Sequence, residues 1–317
     1  MELVFNELSL IKPMENLEIA REKMEQFIRL IQHSVNLGVR RYLRVDEDFI
    51  YYDIGPNYKI IQWLNDKNVD MDMRRYFKSV ITRKPYIDSH READIYSQFK
   101  SSDFFYNTIV CKGLGIAHLI DGIAISFQSD DEWNKHTITL RFVELDNTGD
   151  IYEEDIETRH ISNKFHLDLH KTYLDQKRKI DLNNNTEWRN ELEQLFPSLI
   201  FCDRAKAQLF EYKKGDLILK QIQKRLFELN EYFTSWQEGA FNNESLPSKV
   251  TPESPITLVT YTEEHTFLCP DGQYRIFSWH VRVTPGAGRI FFVPDEITRK
   301  CIIGHIGNKL KTVKYST

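Results

Sequence analysis

At 317 residues, with 41% apolar and 28% charged side chains, the chain is long enough to bury one or two cores without disulfide or metal staples. Its net charge of −5 excludes a protein that coats nucleic acid or membranes with its whole surface. No apolar run approaches the roughly 20 residues of a membrane span, and the acidic start MELVFNELSL does not read as a signal peptide.

In chain order, ELVFNELSL alternates loosely and predicts a strand. Leu17, Ala20, Met24, Phe27, Ile28, Ile31 and Val35 then recur at helical spacing, and Gly38 predicts the end of that helix. FIYYDI reads as a strand, YKIIQWLND as a short helix, and DMDMRRYFKSVIT as a helix with Asp70 or Asp72 at its start. Gly113 and Gly115 mark a helix that must approach its neighbours closely. IAISF and TITLRFVEL predict strands, with SDDEW a polar turn between them. The acidic run DNTGDIYEEDIE reads as a connection between layers. The region from Ser162 to Gln237 reads as mostly helical, most clearly where Ile218, Ile222, Leu226, Leu229, Phe233 and Trp236 form one stripe.

GAFNNESLPSKVTPESP is polar and proline-rich and predicts a surface linker. ITLVTY, HTFLC, YRIFSWHVRV, GRIFFV and KCIIGHIG then predict strands separated by turn residues. The expected fold is α+β: a mixed α/β part over 1–155, a helical segment over 156–240 and an antiparallel β module with a basic face over 250–317.

Chemistry concentrates in that last module. From Asp271 to Thr317 there are eight Lys/Arg against three Asp/Glu, a net of +5, so the rest of the chain carries −10. Alternation through YRIFSWHVRV assigns Arg275, Phe277, Trp279, Val281 and Val283 to one face, and Ile276, Ser278, His280 and Arg282 to the other. If three strands pair as a meander, His280, Arg282, Arg289 and His305 converge as the candidate catalytic group. The cations hold phosphate and the imidazoles move protons. Gly304 and Gly307 flank His305 and would let a ligand approach the backbone. Lys309, Lys311, Lys314 and Tyr315 are the candidate nucleic-acid contacts.

The strip WHVRVTPGAGRIFFVPDEITRKCIIGHIGNKL resembles the sheet of RelE/HigB-type bacterial toxins, in which a turn, an Arg-Ile-x-Phe/Tyr strand, an apolar strand and trailing lysines follow one another. The resemblance implies metal-independent mRNA cleavage with no cofactor. It places Arg289 at the family's strand arginine, Lys309 and Lys311 at its lysines, and Tyr315 at a terminal tyrosine. Such toxins are small and basic throughout, and this chain is large and acidic. The whole chain also resembles uncharacterised bacterial proteins of phage-defence and toxin–antitoxin loci.

Elsewhere the motifs are incomplete. His166 and His170 lie four apart with His160 nearby, a metal half-site without a defined third ligand. Asp203 with Glu211-Tyr212-Lys213 matches the spacing of a PD-(D/E)xK nuclease but lacks strand alternation. Ser126 lacks the glycines of a nucleophile elbow. Cys111, Cys202, Cys269 and Cys301 form no CxxC pair and read as reduced core thiols of a cytoplasmic protein. The expected function is a toxin-like or phage-defence effector that binds and cleaves RNA. A non-enzymatic adaptor, bound to an antitoxin or defence-complex subunit, and a metal-dependent nuclease are the alternatives.

Overall fold

The structure is a computed structural model. It describes the chain except residues 83–84, 89–90, 146–150, 183–186, 214–215, 285, 287 and 314–317, and the side chains of 179–182 and 187. The fold is α+β, in two compact units: Met1–Leu145 with Ile151–Lys179, and a second containing Ile180–Thr317.

Unit 1 runs β1 (Leu3–Phe5), α1 (Leu17–Asn36), β2 (Leu43–Arg44), β3 (Asp53–Gly55), β4 (Tyr58–Lys59), α2 (Ile60–Asn65), α3 (Met71–Ile81), α4 (Ala93–Lys100), β5 (Ser102–Tyr106), β6 (Ile109–Val110), α5 (Lys112–Leu119), β7 (Ile123–Ile125), β8 (Thr137–Leu145), β9 (Ile151–Ile161), α6 (Lys164–Leu169) and α7 (Lys171–Leu182). A seven-stranded sheet has the order β2-β1-β7-β9-β8-β5-β6, parallel from β2 to β9 and antiparallel beyond.

The helical stripe of α1 buries Ala20, Met24, Phe27, Ile28 and Ile31, while Leu17 stays exposed. Asn16 caps the helix by accepting from the Ile19 amide at 2.9 Å, and Gly38 ends it with φ +94°. Asp70 caps α3 through the Asp72 and Met73 amides, both at 2.9 Å. The Phe27 ring stacks on Phe127 at 4.1 Å, and Phe5 meets Phe49 edge-on at 4.7 Å, an aromatic cluster within a mostly aliphatic core.

Four expectations change in unit 1. Phe49–Tyr51 form a 3₁₀ turn before the short β3, and Glu7–Leu10 form another after β1. The acidic run expected to be a connection is mostly strand. Along β9, Glu154, Ile156, Thr158 and His160 are buried while Glu153, Asp155 and Glu157 are exposed, so three of the four acids occupy the wet face. The segment expected to be helical from 156 therefore begins as strand.

Arg44 is 1% exposed. It forks onto Glu92 at 2.6 and 2.7 Å, reaches Glu2, and donates to the Tyr86 carbonyl at 3.0 Å. Burial opposes its charge, but Glu92 and Glu2 outweigh that effect and raise its pKa. Arg44→Met is expected to destabilise the protein by about 3–5 kcal/mol, because buried carboxylates lose their counter-charge. Urea unfolding measures the loss, and Glu92→Gln added to Arg44→Met should recover part of it.

Unit 2 continues with α8 (Leu192–Leu195), β10 (Leu199–Phe201), α9 (Asp203–Glu211), α10 (Leu217–Ser235), β11 (Val250–Pro252), α11 (Pro255–Thr260), β12 (Thr266–Leu268), β13 (Tyr274–Ile276), β14 (Trp279–Val283), β15 (Gly288–Asp295) and β16 (Lys300–Asn308). Its five-stranded sheet has the order β10-β16-β15-β14-β11. The β14-β15-β16 meander is antiparallel as expected, but β10 adds in parallel, so the sheet is mixed. The α10 stripe covers one face: Ile222, Leu226, Leu229 and Phe233 are buried, and Phe233 meets Phe292 of β15 edge-on.

The predicted linker instead supplies β11, which pairs with β14 at the sheet edge. ITLVTY, expected as a strand, lies largely in α11. Ser254 accepts from the Thr257 amide at 3.2 Å and Pro255 opens the helix, a start signal stronger than the β-branched composition. YRIFSWHVRV breaks into β13 and β14, which belong to different sheets. At the break, Phe277 donates its amide to the His265 carbonyl at 2.8 Å, and its buried ring joins Phe267, Cys269 and Phe291.

Candidate phosphate-binding pocket in the C-terminal unit

The register of unit 2 brings the candidate residues into rows. Residues opposite one another in an antiparallel ladder point to the same side. His280 faces Thr251 on one neighbour and Phe291 on the other, and Phe291 in turn faces His305. Arg282 faces Arg289 in the next row, with Gly307 beyond. All four candidate catalytic residues therefore project from one face of the sheet.

That face is not one open surface. The Phe291 ring sits 5.1 Å from the His280 ring and 5.8 Å from that of His305, separating them. Phe267 and Phe277 pack over the same region. A Cβ on Gly304 would fall 2.5 Å from the Phe277 ring, so this glycine admits a core side chain rather than a ligand. His305 is buried: its Nε2 donates to the Asn308 carbonyl at 2.9 Å and its Nδ1 accepts from Gln208 at 3.0 Å. Burial, with Arg204 nearby, lowers its pKa to about 4. It borders a different cavity, shared with Gln208, Lys213 and Asn308. Arg282 is 9% exposed and its Nε donates to the Gly286 carbonyl at 3.3 Å. The expected wet basic face is thus corrected: Arg282 and His305 are both buried, and Phe267 of β12 lies over the His305 ring.

His280, Arg289 and Lys309 do come together. They line a cavity of about 400 Å³ with Glu253, Ser254, Ile256, Thr257, Thr312 and Val313. Glu253 follows β11 directly, and its amide donates to the Ser278 carbonyl at 2.7 Å, which anchors it beside β14. His280 Nε2 is 3.0 Å from Thr251 Oγ1, and Nδ1 is 3.3 Å from Glu253 Oε1. The second approach is close but misaligned, and Nδ1 has no hydrogen-bond partner among the described residues. Burial, with Arg289, Lys309 and His265 nearby, lowers His280 to about 3. Burial raises Glu253, against the opposing pull of His265, Lys309 and Arg289. At neutral pH the imidazole is uncharged beside a carboxyl group that holds its proton more tightly than usual. Two titratable groups displaced in opposite senses by one environment are suited to proton transfer.

Glu253 went unnoticed in the sequence because TPESP reads as linker, and only strand pairing places it against His280. Lys311 is exposed and its carbonyl accepts from His265 Nε2 at 3.0 Å. Lys314 and Tyr315 lie outside the described residues.

The other motifs resolve into structure. His160 Nδ1 donates to the Lys135 carbonyl and Nε2 accepts from Ser126 Oγ, both at 2.6 Å, inside the unit 1 core. His170 Nε2 donates to the His136 carbonyl at 2.8 Å, and His166 lies 3.3 Å from the Ser162 amide. Among the described residues no group of three or more His, Cys, Asp or Glu side chains is arranged to hold a metal. Asp203 and Glu211 belong to helix α9 and not to a strand, so the PD-(D/E)xK pattern has no structural counterpart. All four cysteines are buried and free. No helix among the described residues is long and apolar enough to cross a membrane.

No protein-family model, no curated protein and no solved structure matches the chain.

Proposed function

We propose that unit 2 binds RNA through this cavity and cleaves it without a cofactor, as the working part of a toxin-like or phage-defence effector. The observation that carries the reading is that Glu253, His280, Arg289 and Lys309 line one cavity. Arg289 and Lys309 hold a phosphate, and charge-assisted contacts of this kind position a phosphodiester irrespective of base.

The residues supply a complete transesterification. The Glu253 carboxylate takes the proton of a ribose 2′-hydroxyl, and that oxygen adds to phosphorus. Arg289 and Lys309 offset the charge gathering on the phosphoryl oxygens. The bond to the 5′ oxygen breaks, and this oxygen takes a proton from the Lys309 ammonium, which solvent restores. The products are a 2′,3′-cyclic phosphate and a 5′-hydroxyl. The uncharged His280 imidazole, tethered by Thr251, lies beside the Glu253 carboxyl as its neighbour in the cavity.

Two substitutions separate binding from chemistry. Arg289→Glu should weaken single-stranded RNA binding at least about tenfold and flatten the dependence of log K on log salt. Glu253→Gln should lower cleavage by about 10²-fold or more while leaving affinity nearly unchanged. RNA affinity that is indifferent to Arg289→Glu discards the reading.

A further inference from the structure

The walls of the cavity differ from its charged groups. Ile256 and Val313 line it together with Arg289, Lys309 and Glu253, and both are well exposed, at 67% and 54%. Ile256 lies on α11 and Val313 follows the last strand, so the apolar positions come from segments flanking the sheet that carries the charges. A bare phosphate has no use for apolar walls, and a purely apolar ligand makes no use of the charges of Arg289 and Lys309. The ligand these walls match is amphipathic at short range, with an anionic group and a flat, weakly polar one joined by a short linker. A nucleotide has that form.

Size and topology narrow the class. At about 400 Å³ the cavity admits one such unit. In a duplex the base is stacked and paired, and turning it into the cavity would require breaking both interactions. In a single strand the base is available without that cost.

We propose that the cavity takes one unstacked nucleotide, its phosphate at Arg289 and Lys309 and its base against Ile256 and Val313, so that unit 2 selects unpaired RNA over duplex. The inference rests on the RNA-binding reading above and adds the recognition of a base to that of a phosphate. Base contact is sequence-tolerant, because every base offers an apolar face. Ser254 and Thr257 add hydroxyls to the same wall, paired to each other at 3.0 Å.

The test uses the full chain and fluorescence anisotropy with three probes: a single-stranded oligoribonucleotide, the same strand carrying abasic positions, and its blunt duplex. The single strand should bind at least about tenfold tighter than the other two, within the range of one stacked base. Ile256→Ser with Val313→Ser should remove most of that preference and leave the salt dependence unchanged. Both side chains are exposed, so the fold tolerates the change. Equal binding of all three probes, with Arg289→Glu still abolishing it, overturns the base pocket and leaves the phosphate reading standing. Binding untouched by Arg289→Glu, or no binding by the unaltered protein, overturns both.

Discussion

Gly113→Ala is expected to unfold unit 1 or to cost more than about 4 kcal/mol, among the larger effects a single methyl can have. A Cβ at this position would lie 1.9 Å from the backbone oxygen of Phe5, 2.7 Å from Glu7 Oε2 and 2.8 Å from the Tyr86 hydroxyl. None of these can yield cheaply. Phe5 belongs to β1, held between β2 and β7, and its carbonyl accepts from Tyr86 at 2.7 Å. Glu7 accepts from the Gly113 amide at 2.9 Å and also from that of Lys112, capping α5. Moving α5 away to admit the methyl breaks that cap and opens the contact with β1. Gly272→Ala is the control. Gly272 has φ +80° and nothing within 4 Å, so an alanine there meets only backbone strain, about 1–2 kcal/mol. Urea unfolding followed by near-ultraviolet circular dichroism distinguishes the two. A Gly113→Ala protein as stable as Gly272→Ala would mean that α5 does not sit against β1 as described.

Mild acid should be nearly as damaging, and to both units. Burial lowers His160 to about 3 and His170 to about 4 in unit 1, and His280 to about 3 and His305 to about 4 in unit 2. The folded values lie below the ordinary 6.5, so above that pH both folded and unfolded chains are neutral at these positions and stability is complete. As pH falls through 6.5 the unfolded chain takes up protons that the folded chain refuses. Each such histidine then removes about 1.4 kcal/mol per pH unit, until the folded value is reached. With two per unit, the loss by pH 5 is on the order of 4 kcal/mol, a large part of the stability of an ordinary domain. Asp66 and Asp271, both lowered to about 2 with hydrogen bonds to their carboxylates, add further loss only at lower pH. Urea midpoints at pH 7, 6 and 5 measure the trend, and imidazole proton resonances report the folded titrations directly. A flat profile across that range would show that the imidazoles charge freely within the fold.

Much of the architecture could be read from periodicity. The stripes of α1 and α10, the alternation of β8, and the meander from β14 to β16 all appear where residue spacing places them. Spacing of apolar side chains decides which face of an element turns inward, and that is a local property. Where composition was weighed above period, the reading failed. The acids of β9 suggested a loop although they alternate with buried side chains, and the prolines around β11 suggested a linker although Pro252 sits at an edge where no amide is needed. The candidate site divided in the same way. His280, Arg289 and Lys309 could be picked from the charge of the C-terminal strip, but Glu253 could not, because its role depends on the pairing of β11 with β14.

Sequence alone therefore determined the α+β class, the principal helices and strands, the side of the C-terminal sheet from which its histidines and arginines project, and the glycines at which helix α5 meets its neighbours. Tertiary structure decided which of those side chains share a cavity: Arg282 is buried and His305 borders a separate cavity, while Arg289 and Lys309 border space shared with Glu253. The reason is physical. Alternation sets the direction of a side chain, but what lies in that direction is set by register and packing between segments far apart in the chain, here Phe267 of β12 lying over the His305 ring.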